Sequence, residues 1–391
     1  MQEGWITKKI GETVKYMSRI LMIGSCNFIT THNDGGRQGS YSNYEILRRI
    51  FGKENVDLCL ITNDSVEKEN IVTVPSYRNR LEQIGCALLG RNGYTLKTEK
   101  KILKMINEGE YQYVWVDRST LGGLCKKINN NIIKIVFFHN VEREYIKNKI
   151  RHESIGYLFA YYAFLKNEKE ATTYADLMVA LNRRDQDMIE KEYKRKADFL
   201  MPVSFEDEYI EESNDDSPYE ENGKRILLFV GSFFGPNIEG VQWLVDHVMP
   251  KLPECCLYIV GKGMEVKKRE WTKFNVHVVG TVESLRPYYL YADAVVLPIF
   301  YGDGMKVKTA EALMFGKVIF GTEEAFEGYQ EEKLPDLILC KEASEFVVKI
   351  RKYLENVNEA KFSERNREYF LKYHENTAIE NRMIEFLKQN R

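Results

Sequence analysis

Four segments place glycines, charges and amides directly after apolar, strand-like runs, where side chains of a parallel sheet can reach a ligand. The richest is Ile299–Leu313, IFYGDGMKVKTAEAL, which follows Leu297–Pro298. Gly302 and Gly304 let backbone approach a ligand closely, and a helix beginning near Met305 or Lys306 turns its first N–H groups outward. Lys306 and Lys308 add positive charge there, and Glu311 lies on the first turns of the same helix. The set suits a nucleotide diphosphate, with phosphates on the helix amides and lysine and ribose hydroxyls on the carboxylate. An ordinary strand-to-helix turn explains the glycines equally well, and local chemistry leaves both readings open.

The second segment, Leu228–Val241 (LFVGSFFGPNIEGV), has Gly231 and Ser232 at a strand end, Pro236 suited to a helix start and Asn237 as a capping or ligand-binding amide. The third, Phe137–Tyr145 (FFHNVEREY), puts His139, Asn140, Glu142 and Arg143 just past the strand Ile132–Phe138. The fourth, CNFITTHNDGGRQGSY, carries Gly35, Gly36 and Gly39 ahead of a helix, a backbone that suits sugar or phosphate. A capped helix, a structural histidine and a plain glycine connection are the competing readings. Other chemistries find no support. Asp185-Gln-Asp187 sits in the charged run NRRDQDMIEKEYKRK and reads as a solvated helix face; no HxH, HExxH or GxxxxGK[ST] occurs, and Gly261-Lys262-Gly263 is too short for a dinucleotide fingerprint.

The elements that must position these residues alternate along 391 residues. Strands are expected at Arg19–Gly24, Val56–Thr62, Tyr113–Val116, Ile132–Phe138 and Leu177–Leu181, then at Arg225–Val230, Leu257–Val260, Val276–Val279, Ala294–Leu297 and Val318–Phe320. Helices are expected at Tyr41–Phe51, Thr98–Ile106, one long run from Glu142 to Tyr174, Ile238–Met249, Leu285–Tyr291 and Lys306–Phe315. Apolar strands alternating with helices make parallel sheets covered on both faces. The fold class is α/β: two Rossmann-like, doubly wound parallel-sheet domains facing a cleft. Residues 1–204 form the first, 224–391 the second, and the acidic stretch 205–223 (FEDEYIEESNDDSPYEENG) reads as the linker. The periodic run Ile379, Met383, Ile384, Phe386, Leu387 marks a last helix suited to pack back on the first domain.

Composition narrows the class. The net charge of −2 argues against a nucleic-acid partner, but it hides +7 over residues 1–200 and −9 over 201–391. Seven cysteines without CxxC spacing read as free thiols of a reducing compartment. With no signal-peptide core and no long apolar run, the expected location is cytoplasmic, peripheral at the inner face of the membrane. Ser76–Gly93 and Ile155–Leu165 mix apolar residues with arginines or aromatics and suit either a membrane surface or a core helix.

Taken together, the four segments resemble the glycosyltransferases of the GT-B fold, in particular family 4, the glycosyl transferases group 1. That family carries two acidic residues with seven positions between them; Glu311 fits the second, and Asp303 stands where Glu is more usual. GMKVKTA resembles the family's small-residue, basic variant, AFEG at Ala325–Gly328 its acidic-glycine step, and HNVE at His139–Glu142 a recurrent first-domain motif. The resemblance implies transfer from a nucleotide-diphosphate sugar, with retention and without metal or other cofactor, to a glycan or lipid-linked acceptor in surface-polysaccharide or glycolipid assembly. It implies that Glu311 binds ribose, that Gly304, Met305 and Lys306 hold the diphosphate with Gly302 also binding the donor, and that Asp303 contacts the donor sugar. His139 would face that sugar across the cleft, Gly35 and Gly36 would border the phosphates, and Gly231, Ser232 and Asn237 would complete the donor site. Catalysis would fall to His139, Asp303 and Lys306. Relatives use an Arg and a Lys in the loop where this chain has Ser232 and Glu239, which throws phosphate work onto Lys306 and Lys308. A non-catalytic sugar-nucleotide-binding subunit, an epimerase or a phosphorylase of the same fold are the alternatives, and weak contact with anionic membranes is expected of the positive first half.

Overall fold

Runs such as Val56–Ile61, Ile133–Phe138 and Arg225–Val230 are apolar at nearly every position, so a strand built from them has no face for water and must be covered on both sides. The structure is a computed structural model that describes all residues except 1–7, 11–12, 16–17, 31–34, 153, 211–215, 221–222, 274, 303, 330–333, 335, 357–360 and 391. It divides into two units, Met1–Pro202 with Ile379–Arg391, and Val203–Ala378.

In the first unit a short antiparallel pair, β1 (Lys8–Ile10) and β2 (Thr13–Lys15), precedes a seven-stranded parallel sheet. Its strands are β3 (Ile20–Gly24), β4 (Val56–Ile61), β5 (Ile71–Val74), β6 (Tyr113–Val116), β7 (Ile133–Phe138), β8 (Leu177–Ala180) and β9 (Phe199–Leu200), in the order β5-β4-β3-β6-β7-β8-β9. The helices are α1 (Gly35–Phe51), α2 (Arg80–Leu88), α3 (Leu96–Glu108), α4 (Glu142–His152), α5 (Leu158–Tyr174) and α6 (Arg183–Tyr193). Side chains of β3 alternate between two cores: Ile20 and Met22 join Ile46, Leu47 and Ile50 of α1, whereas Leu21 and Ile23 join Ile102 and Ile106 of α3 and Ala171 of α5.

The second unit has six parallel strands, β10 (Arg225–Val230), β11 (Cys255–Val260), β12 (Val276–Gly280), β13 (Ala294–Leu297), β14 (Ile319–Gly321) and β15 (Leu337–Leu339), in the order β12-β11-β10-β13-β14-β15. Its helices are α7 (Gly235–Trp243), the single turn α8 (Lys268–Trp271), α9 (Arg286–Tyr291), α10 (Val307–Met314), α11 (Ala343–Asn356) and α12 (Glu364–Tyr373). The last helix, α13 (Asn376–Gln389), returns to the first unit, where Ile379, Met383, Ile384 and Leu387 enter the core beside α1. In both sheets the chain starts in the middle and reverses direction of growth once, between β3 and β6 and between β10 and β13. Ligands of such sheets bind past the carboxyl ends at that reversal.

Three expectations need correction. The long helix from Glu142 to Tyr174 is two helices, because Ser154 adopts an extended backbone and its Oγ accepts the Gly156 N–H at 3.1 Å, starting a new helical segment. The second of them, α5, supplies Glu168, whose carboxylate accepts the N–H groups of Glu142 and Arg143 and so caps α4. The stretch read as a linker is, in its described parts, packed onto the second unit: Asp207 pairs with Arg367, Tyr209 lies against Phe362, and the buried Tyr219 donates to the Tyr288 carbonyl at 2.6 Å. The chain passes between units instead at Pro202–Val203 and Ala378–Ile379, where Phe205 and Glu375 bridge in parallel. Asp185, read as solvated, is buried; its N–H donates to Asn182 Oδ1 and its carboxylate accepts from Asn182 Nδ2 at the start of α6.

Candidate active site

The second unit gathers most of the expected residues at the ends of β10 and β13. Past β10 the chain must turn tightly, and Gly261 makes room: a Cβ there would lie 2.1 Å from the Gly231 carbonyl oxygen, and its φ of +141° suits glycine. This is the structural reason for the Gly261-Lys262-Gly263 run. Asn237, buried on the first turn of α7, donates its amide to the Ser232 carbonyl at 2.8 Å and so folds the loop back over the helix start. Gly240 lets α7 lie against the end of β13, since a Cβ there would lie 2.2 Å from the Pro298 oxygen. Gly240→Ala is expected to cost about 1–3 kcal/mol by forcing the two apart, read by denaturant unfolding.

Past β13, Thr322 donates its hydroxyl to the Ile299 carbonyl, and Tyr301 donates to Glu239 at 2.7 Å. Gly304 has a φ of +64°. Met305 is buried against Gly328, where a Cβ would lie 2.6 Å from Met305 Cγ. Tyr329 donates to the Lys306 carbonyl at 2.8 Å, and Thr309 to the Ala325 carbonyl at 2.7 Å, so the AFEG segment fixes the entry to α10. Lys306 occupies the N-cap position and its side chain does not cap the helix. Its ammonium donates to the Gly304 carbonyl at 2.7 Å and pairs with Glu324 at 2.6 Å. Asp303 lies outside the described residues.

Lys308 and Glu311, three residues apart on α10, complete the group. The Lys308 ammonium donates to Asn237 Oδ1 and stands 5.1 Å above the Phe229 ring. It also reaches the loop after β10, because a Cβ on Gly231 would lie 3.0 Å from Lys308 Nζ. Burial and the Lys306 charge push this ammonium down to about 7, with Glu311 pulling the other way. Burial raises the Glu311 carboxyl, eased by Tyr289, which donates to it at 3.1 Å, and by Lys308. Tyr289 is itself held by stacking on Phe315. Thus Gly231, Ser232, Asn237, Gly302, Gly304, Met305, Lys306 and Glu311 share one corner of the unit. Asn237 joins the two loops by accepting from the Lys308 ammonium of α10.

In the first unit His139 follows β7 and is buried, its ring edge-on to Phe137. His139 Nε2 lies 3.1 Å from Asp117 Oδ2, and Asp117 also accepts from Asn43 at 2.9 Å and Trp115 Nε1 at 3.0 Å. Burial opposes the charge on Asp117, but His139 and the donors from Ser40 and Asn43 outweigh it and hold the carboxyl below its usual range. Burial lowers the His139 imidazole, partly offset by Asp117. An ionised Asp117 only accepts, so Nε2 carries the proton and Nδ1 is the acceptor. Gly35 and Gly36 are not in an open loop, as expected from sequence, but are the first residues of α1; Gly39 on its next turn faces the His139 ring. Asp117 was not anticipated. The available signal was its place one residue past a strand at the sheet's reversal point.

Two doubly wound parallel sheets, each with polar groups collected past its reversal point, define the GT-B fold. Residues 224–356 match the family model described as glycosyl transferases group 1, the family that the motifs resemble. The chain is similar in structure to sucrose-phosphate synthase from Thermosynechococcus elongatus, with a TM-score of 0.69, 16% identity, and 95% of this chain and 98% of that one covered. It is also similar to HepE of Anabaena in complex with UDP, with a TM-score of 0.66, 12% identity and coverage of 95% and 100%. A 44.6 kDa protein in the cps region of Klebsiella pneumoniae is 22% identical over 385 residues, covering 88% of this chain and 92% of that protein.

Proposed function

We propose that this protein is a glycosyltransferase that moves a sugar from a nucleotide-diphosphate donor to a glycan or lipid-linked acceptor in surface-polysaccharide or glycolipid assembly. The observation that carries the reading is the corner of the second unit where the uncapped start of α10, Lys306 and Lys308 converge with Gly231, and where Glu311 is presented by Tyr289. Helix amides and ammonium groups suit a diphosphate, and a positioned carboxylate suits ribose hydroxyls. The UDP complex of HepE and the cps-region relative point the same way. The two lysines neutralise the charge that grows on the departing diphosphate, the task for which other enzymes enlist a cation, so no metal or other cofactor is invoked. His139, the catalytic histidine expected from the sequence, is held by Asp117 within the first unit, and transfer proceeds with retention.

Nucleoside diphosphates and their sugar conjugates should raise the melting temperature in a thermal-shift screen, since a ligand bound only by the folded state stabilises it. Turnover of the best donor should then require an acceptor from a cell lipid or glycan extract. Failure of every nucleotide to stabilise the protein would overturn the reading, and binding without transfer would make it a non-catalytic subunit. Glu311→Gln is expected to weaken nucleotide binding about tenfold with little change in kcat, because a ribose contact changes little as the glycosidic bond breaks.

A further inference from the structure

Helices on the surface of a globular unit normally turn their apolar stripe inward. α2 and the start of α5 do the reverse. On α2, Leu81, Gly85, Leu88 and Leu89 recur at the spacing of one helical face and are all exposed, Leu81 at 80%. Ile155, Leu158, Phe159 and Tyr162 repeat the spacing on the turn Ile155–Tyr157 and on α5, each more than half exposed. The buried positions further along α5 hold Ala163, Asn167, Glu168, Ala171 and Thr172, so three polar residues face inward there while Leu158, Phe159 and Tyr162 point out. The two stripes are neighbours: α2 packs on α5, Arg80 Nη2 would lie 3.9 Å from a Cβ on Gly156, and Lys166 of α5 lies against Gly90 at the end of α2. The result is one apolar face of seven large side chains, not scattered exposed residues.

Its surroundings select the occupant. Arg80 stands at the start of α2 beside Arg78, which pairs with Glu82; Lys149 and Arg151 lie near the end of α4 just before Ile155, where Lys147 pairs with Glu144, and Lys166 flanks the far end. Residues 1–200 carry a net charge of +7. A symmetric pairing of two copies would bring like-charged rims together, whereas anionic headgroups complement the rim and acyl chains complement the apolar centre. We infer that the α2–α5 face is a membrane-docking surface that lies in the interface of an anionic lipid layer, with Leu81, Leu88, Leu89, Ile155, Leu158, Phe159 and Tyr162 inserted and the basic rim on the headgroups. This deepens the proposed function, resting on its lipid-linked acceptor: the protein would work where such an acceptor is anchored.

The test is flotation of the full chain with vesicles of phosphatidylcholine alone and of equimolar phosphatidylcholine and phosphatidylglycerol. The natural chain should float with the anionic vesicles, less so at high salt, and little with the neutral ones. Leu88→Glu combined with Phe159→Glu should reduce the floated fraction on the order of tenfold while leaving the melting temperature unchanged, since both side chains are exposed. Equal flotation of variant and natural chain would overturn the inference, as would absence of flotation with anionic vesicles. A natural dimer that the double variant converts to monomer in light scattering would overturn it in favour of a second copy. The thermal-shift response to nucleotides reads the glycosyltransferase proposal separately, and either result can fail without the other.

Discussion

Lys308→Met should bind a nucleoside diphosphate roughly 10- to 100-fold more weakly than the natural chain while melting at the same or a higher temperature near neutral pH. The free protein holds this ammonium under unfavourable conditions: it is partly buried, seated on a neutral amide oxygen and an aromatic ring, and beside the Lys306 charge. Its pKa falls from 10.5 to about 7, so between those values the unfolded chain binds more protons than the folded one. The group therefore lowers stability as pH falls through that window, and below it the cost is fully present. Methionine has similar length and no charge, and it removes this cost; against it stands about 1 kcal/mol for the donor that Asn237 loses. A diphosphate reverses the balance by supplying the missing counter-charge. Binding should then draw a proton onto Lys308 at about pH 8 and none at about pH 6, and affinity should decline as pH rises above neutrality. Calorimetric titration with UDP in buffers of different ionisation enthalpy measures that uptake. Unchanged affinity in the variant, or heats independent of buffer at about pH 8, would remove Lys308 from the phosphate seat.

The pairing of Lys308 with Asn237 also shows where the sequence was legible and where it was not. Both central strand series, the end of β10 and the end of β13 could be placed because buried parallel strands are apolar throughout and are punctuated by glycine. The glycyl and lysyl residues of the second unit followed from those ends. What one chain cannot reveal is pairing across 71 residues of separation: Asn237 reads as a cap, and Lys308 as one of two similar cations, until the amide is seen to hold the ammonium. Glu324 was equally invisible as the partner of Lys306, since it belongs to a short turn after β14. The edge strands β5, β9 and β15 escaped for a different reason, whereas the edge strand β12 was expected. In β5 and β15 most residues are only partly buried, so neither reads as a buried run. Asp117 lay in plain view after β6, but a single carboxylate has no pattern; its role emerges from Asn43, Trp115 and His139 converging on it.

The same geometry sharpens the expectation for Lys306. Its ammonium sits at the start of α10, bound to the Gly304 carbonyl and to Glu324, so it is held in place before any ligand arrives. A fixed cation aimed at a leaving diphosphate lowers the barrier more than it strengthens donor binding, because negative charge grows there as the glycosidic bond breaks. Lys306→Ala should therefore reduce kcat on the order of 100-fold or more, with a smaller change in donor KM. Glu324 meets the proposed phosphate seat through this lysine and beside Gly302, where it is placed to orient the ammonium. Glu324→Gln keeps a hydrogen-bonding oxygen but surrenders the charge, and should cost about tenfold in kcat. If Glu324 acts through Lys306, the double variant should be no slower than Lys306→Ala alone, whereas independent roles would multiply the two losses. Steady-state rates for the four proteins with one donor and acceptor pair decide between these outcomes. Near-normal transfer by Lys306→Ala would place the diphosphate elsewhere, and multiplying losses would give Glu324 a contact of its own with the donor.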